Sequence, residues 1–317
     1  MIKKTMNMNR FTLYFIATVL IAVSSCQVNN LETITSYQTI EFVVPDIPYY
    51  PDEPDTRSAL KTNPIGFMWE ATDTVGIFPS QGGQVYFSME NGVGTNSATF
   101  DGGGWALKES SSYYSYFPLV GRFYLSPQSI PVSFEGQKQS DAISPFSSVR
   151  FFLASTGVSD GAGVLTFTYK ILNVILNVNC TLPAGVYTGM TLATEDELFT
   201  VEGRFNLFTT NPAIVSTKKA STISLALDNI SLSEEMVLPL YIMLAPVDLN
   251  GKTITVTVTE STGRKYVCEK VPSRVYLAGS RYGLTCNTFT EYAAEYPDGV
   301  GSSDTDLGDD NESIIIK

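Results

Sequence analysis

Residues 253–259 read TITVTVT, which sets Ile254, Val256 and Val258 on one face of an extended segment and four threonines on the other. A repeat of two is the mark of a half-buried strand, because successive side chains of an extended chain point to opposite faces. β-Branched residues also suit a pleated surface and lose rotamer freedom in a helix. The longer run VLTFTYKILNVILNVNC (164–180) alternates through Leu165, Phe167, Tyr169 and Ile171, then changes phase to Leu172, Val174, Leu176 and Val178. A one-residue phase change predicts a bulge or bend. Ile171, Val174, Ile175 and Val178 also fit a helical face, but the β-branched content and the asparagines at 173, 177 and 179 favour strand.

Turn signals punctuate these runs at Gly82-Gly83, Asn91-Gly92, Gly102–Gly104 and Asn250-Gly251. Short strands separated by frequent tight turns predict an all-β chain of sandwiches or barrels rather than a parallel sheet. The length accommodates two β-sandwich domains, 58–160 and 161–297, with the small, polar stretch GVSDGAG (157–163) as the junction. A possible first strand, ITSYQTIEFVV, precedes PDIPYYPDEPDTR (45–57), whose four prolines and four acids predict an exposed connector. At the other end, 298–317 is an acidic, Gly/Ser-containing tail closing on SIIIK.

The first 25 residues carry Lys3, Lys4 and Arg10, then an apolar run from Phe11 to Val23 that is too short for a stable span of a bilayer core of about 30 Å. This predicts a signal peptide. Val23-Ser24-Ser25-Cys26 has the form of a bacterial lipobox, so Cys26 is the expected lipidation site and the protein an expected outer-membrane lipoprotein. Loss of the three basic residues would take the formal charge from −12 to −15. Such acidity argues against a nucleic-acid partner, since phosphates would be repelled. Of the remaining cysteines, Cys268 and Cys286 lie on neighbouring candidate strands and could form a disulfide, with Cys180 left over; three buried thiols are the alternative.

Several stretches, in this order, resemble the fimbrillin family, the lipoprotein subunits of type V pili of Bacteroidia. They are TRSAL (56–60), FMWEATDTVGIFP (67–79), YYSYFPL (113–119), TLPAGVYTGMTLAT (181–194), LPLYIMLAPVDLNGKTITVTV (238–258) and LAGSRYGLTC (277–286). The resemblance implies two tandem transthyretin-like Greek-key β-sandwiches and a non-enzymatic role as subunit, anchor or tip of a pilus. It further implies assembly with other pilus subunits by strand exchange, with proteolytic processing after Arg57 and a donor segment at Ile314, Ile315 and Ile316. The expected location is the cell surface or fimbrium, attached to the outer membrane through the lipid.

The absence of histidine removes Ser-His-Asp and Cys-His nucleophile systems, and no cofactor or metal is expected. Glu195, Asp196 and Glu197 read as a solvated turn rather than a catalytic pair, and the acids at 304–310 lack the glutamate spacing of a calcium loop. An aromatic set, Trp69, Trp105, Tyr114 and Tyr116, is the candidate contact surface for glycans or proteins on host or bacterial surfaces. It carries the alternative reading of a surface adhesin or glycan-binding lipoprotein that does not polymerise.

Overall fold

The computed structural model describes residues 36–51, 67–109, 111–121, 125–140 and 151–293, all in strands, turns and loops without a helix among them. The signal peptide, Cys26, Arg57 and the 298–317 tail lie outside these residues. The first half contributes β1 (Thr39–Val43), β2 (Tyr49–Tyr50), β3 (Thr74–Pro79), β4 (Val85–Asn91), β5 (Ser97–Asp101), β6 (Tyr113–Phe117), β7 (Ile130–Ser133), β8 (Gln137–Gln139), β9 (Leu153–Ser159), β10 (Val164–Thr168) and β11 (Lys170–Ile171). The second contributes β12 (Val174–Leu182), β13 (Gly185–Ala193), β14 (Phe199–Phe205), β15 (Val215–Ala220), β16 (Thr222–Leu232), β17 (Met236–Leu244), β18 (Val247–Asp248), β19 (Ile254–Glu260), β20 (Lys265–Lys270), β21 (Val275–Tyr276), β22 (Arg281–Cys286) and β23 (Thr290–Tyr292).

The first module is a closed barrel and not the expected sandwich. Its strands run β1-β5-β4-β3-β6-β9-β10, and β10 returns to pair with β1. Seven is an odd number, so an alternating ring must contain one parallel contact, and it falls at β1–β10, Thr39 opposite Val164 through Val43 opposite Thr168. Closure removes the edges that an open sheet would expose. Aromatic rings fill the interior. Phe42 stacks on Phe167 with centroids 5.0 Å apart, and Trp69 meets Phe67, Phe100 and Phe117 edge-on at 4.5–5.3 Å. On the other face of the same strands Gly76 lies opposite Tyr116, and a Cβ there would enter the Tyr116 ring.

GVSDGAG is not a domain junction. It forms the turn of the β9–β10 hairpin inside the barrel, with Val158 opposite Thr166. A small, polar composition serves a tight hairpin as well as a linker, and Gly161 and Gly163 take positive φ there. Asp160 holds the turn by accepting hydrogen bonds from the backbone N–H groups of Ala162 (2.7 Å) and Val164 (3.0 Å), which lower its pKa. A lowered folded-state pKa means that this support is present above the ordinary carboxylate range and lost as pH falls through the folded value. Protection of the Ala162 and Val164 amides, measured against their intrinsic exchange rates at each pH, is therefore expected to fall on acidification. Asp160→Ala should show the low protection already at neutral pH; unchanged protection in that variant would refute the cap.

The second module pairs two sheets, β17-β12-β22-β2 and β23-β20-β19-β13-β16-β8. The alternation of 254–258 appears as predicted, Ile254, Val256 and Val258 being fully buried and Thr255 and Thr257 half-exposed. The 164–180 run is strand on both sides of its phase change, broken between β11 and β12. Strands β7 and β8 cross the expected domain boundary. β7 pairs with β14, and β8 pairs with β16. Apolar side chains of both modules join in one continuous core.

Candidate assembly interface

Residues 36–51 lie along both modules. Tyr37 and Gln38 donate backbone hydrogen bonds to the carbonyls of Leu107 (2.9 Å) and Gly163 (2.8 Å). β1 then fills the slot between β10 and β5, with Phe42 opposite Ala98 on one side and Phe167 on the other. Phe42 and Val44 are fully enclosed, with the half-buried Val43 between them. Past Val44 the segment crosses to the second module, where the Arg281 N–H donates to the Pro48 carbonyl at 2.9 Å. β2 there is the fourth, edge strand of the β17-β12-β22-β2 sheet and pairs in parallel, Tyr49 opposite Arg281 and Tyr50 opposite Tyr282. Proline on either side restricts such a segment to a sheet edge, because it has no N–H for a ladder.

Aromatic groups and one cation form this second contact. The Arg281 guanidinium sits 4.2 Å from the Tyr49 ring centroid, and Tyr50, Tyr282 and Tyr276 stack at 5.4 and 4.5 Å. Arg281 is 7% exposed, its Nε has no hydrogen-bond partner, and no carboxylate pairs with it among the described residues. Burial lowers its pKa, an effect opposed by the neighbouring Tyr241 and Tyr49.

Other sheet edges are closed or blunted by different means. β17 is covered by two side chains that imitate a strand. The Gln137 amide donates to the Met243 carbonyl (2.9 Å) and accepts from the Met243 N–H (2.7 Å), and Gln139 does the same for Pro239 (2.9 Å) and Tyr241 (3.0 Å). β15 pairs with β14 through shifted register and carries Lys218 and Lys219, features that discourage a further strand. β23 is exposed along all three residues.

The expected aromatic platform is not assembled. Trp69 and Tyr116 are 1% exposed: Trp69, in the loop before β3, lies among the interior rings of the barrel, and Tyr116, on the face of β6 opposite Ser115 and Phe117, is enclosed against Phe78 and hydrogen-bonds through its hydroxyl to Gln84 and to the Val120 carbonyl. Tyr114 packs against Phe208 at 4.6 Å, and only Trp105, on the glycine loop after β5, stands free at 61% exposure. The possible Cys268–Cys286 bridge is likewise not formed; Cys180, Cys268 and Cys286 are buried free thiols. Cys286 lies opposite Cys180 on adjacent strands; its contact with Cys180, together with burial, pushes its pKa up to about 12 against a lowering contribution from Cys268, whose own pKa is raised by its contact with Cys286 and by burial. Asp196 pairs with Lys252 at 3.3 Å in an exposed turn, as a solvated acid does. Arg57 and Ile314–Ile316 lie outside the described residues, as does the acidic stretch 304–310. Sequence reasoning missed the docking of Tyr49 and Tyr50, whose signal was a pair of large aromatics between prolines in an otherwise acidic connector.

No family model and no curated protein matches the chain. Among solved structures, a Bacteroides uniformis protein described as a cell adhesion protein aligns over 69% of this chain and 87% of its own, with a TM-score of 0.50 and 14% identity. A Bacteroides ovatus protein of the same description covers 85% and 100% at a TM-score of 0.47 and 15% identity. The tip fimbrial protein Mfa3 of Porphyromonas gingivalis covers 81% and 100% at 0.36 and 8%. The all-β fold expected from the sequence is thus one that this chain shares with a Bacteroides cell adhesion protein.

Proposed function

We propose that this chain is a fimbrillin-like surface lipoprotein, a subunit, anchor or tip component of a pilus that joins its neighbours by strand complementation. One observation carries the reading: a single N-terminal segment supplies both the strand that closes the barrel and the strand that covers β22. Release of residues 26–57 by a cut after Arg57 would uncover the β10 and β5 ladders, a strip of core beneath Phe42, and the β22 edge together. Unpaired backbone groups beside exposed apolar surface are completed by an extended strand from a partner. Ile314, Ile315 and Ile316 are β-branched and apolar and suit the barrel slot. Cys26 supplies the lipid. The role is structural rather than enzymatic.

The test is extraction of host envelopes in SDS without boiling, followed by N-terminal sequencing of the protein's bands. A ladder of multimers whose members begin at Ser58 is expected for a processed, exchanging subunit. A lone monomer band that begins at Cys26 would refute processing and polymerisation, leaving an anchor or a solitary adhesin.

A further inference from the structure

Arg281 is an anomaly in its surroundings. A cation this deeply buried is ordinarily matched by a carboxylate, since desolvation of an unpaired charge costs several kcal/mol. Here the described residues offer it a tyrosine ring and leave Nε without an acceptor. It also lies at the β22 edge, beneath a cover of only two paired residues. Cation–π contact offsets part of the desolvation, but it does not use the guanidinium's directional donors, which a carboxylate engages in a bidentate fork. Arginine at a strand edge can therefore select among incoming strands by charge, a preference that backbone pairing alone cannot express.

The composition of the chain matches this demand. The segment now covering the edge carries acids at 46, 52, 53 and 55, and the stretch after Arg281 has no Lys or Arg until Lys317, while 298–312 holds Asp298, Asp304, Asp306, Asp309, Asp310 and Glu312. We propose that the β22 edge is a charge-selective docking site for the acidic stretch 298–312 of a second copy, with Arg281 pairing a carboxylate of that strand once the 49–50 cover leaves. The proposal rests on the strand-complementation reading and adds to it the chemistry of the strand and the residue that reads it.

The test uses the purified chain cleaved after Arg57, and fluorescence anisotropy of a labelled peptide of residues 298–312. Wild-type cleaved chain is expected to bind the peptide, and a peptide with every Asp and Glu amidated to Asn and Gln is expected to bind at least tenfold more weakly. Arg281→Met should show the same loss with the acidic peptide and no preference between the two peptides. Arg281→Lys, which keeps the charge without the fork, should fall between, and circular dichroism confirms that each variant is folded. Equal binding of both peptides by wild-type chain overturns the charge selection while leaving strand exchange intact. No binding of either peptide by the cleaved wild-type chain overturns the exchange at this edge and the inference with it. The amidated peptide tests wild-type protein, so a misfolded variant does not shield the proposal.

Discussion

Phe42→Ala is expected to destabilise the uncut chain by about 3–5 kcal/mol, the cost of truncating a fully enclosed aromatic whose surroundings do not collapse. Phe42 is the one ring that β1 places among Phe100, Phe167 and Tyr169, at 4.7, 5.0 and 6.1 Å. These neighbours are fixed on β5, β10 and the residue following β10, so they cannot readily move to fill the space. Urea denaturation would report the loss as a lowered midpoint at unchanged slope. The same truncation has a second consequence under strand complementation. Once the chain is cut after Arg57, β1 is held only by its two ladders and this side chain, so the Phe42→Ala segment should dissociate faster than the wild-type segment. A stability loss below about 1 kcal/mol would show that β1 is a surface strap and not part of the barrel core.

The strands were legible because each carries its own pattern. TITVTVT states its inward face residue by residue, and the glycine turns mark where one strand ends, so the all-β class follows from local information. Barrel closure was not legible. It depends on β1 finding β10 in parallel across more than 120 residues, and nothing in either pattern distinguishes a closing partner from an open edge. The misplaced junction has the same origin: seven small and polar residues satisfy a hairpin turn and a linker equally, and only the β9–β10 pairing decides between them. Trp69 and Tyr116 were offered as contact residues on ring chemistry alone, while the direction of each ring depends on strands not adjacent in sequence. The first strand of the candidate interface was visible in its alternation. Its continuation through Tyr49 and Tyr50 was masked by prolines, which argue against a central strand but allow an edge.

Gln137 shows most directly how a polar residue can hold a sheet edge, and charge substitution there should make stability depend on pH. Its amide is buried at 5% exposure and completes both backbone groups of Met243, with a further bond to the Phe134 carbonyl at 3.0 Å. Gln137→Leu removes all three and leaves the Met243 N–H and C=O without partners in the core, at about 1–3 kcal/mol for each group, independent of pH. Gln137→Glu differs because a protonated carboxyl keeps one donor and one acceptor. Below the unfolded-state pKa of about 4.3, the Glu variant can still satisfy Met243 and should lie within about 1.5 kcal/mol of wild type. Burial without a cation raises the folded-state pKa, so the folded chain holds its proton to higher pH than the unfolded one. The stabilisation is then fully present below the unfolded value and lost as pH rises through the folded value. At neutral pH the ionised carboxylate has no proton for the Met243 carbonyl, and the variant is expected to be less stable than Gln137→Leu. Urea midpoints of the three proteins between pH 4 and 8 separate these effects. A Glu variant whose stability tracks that of wild type across this range would mean that water reaches β17, and that the glutamines do not seal its edge.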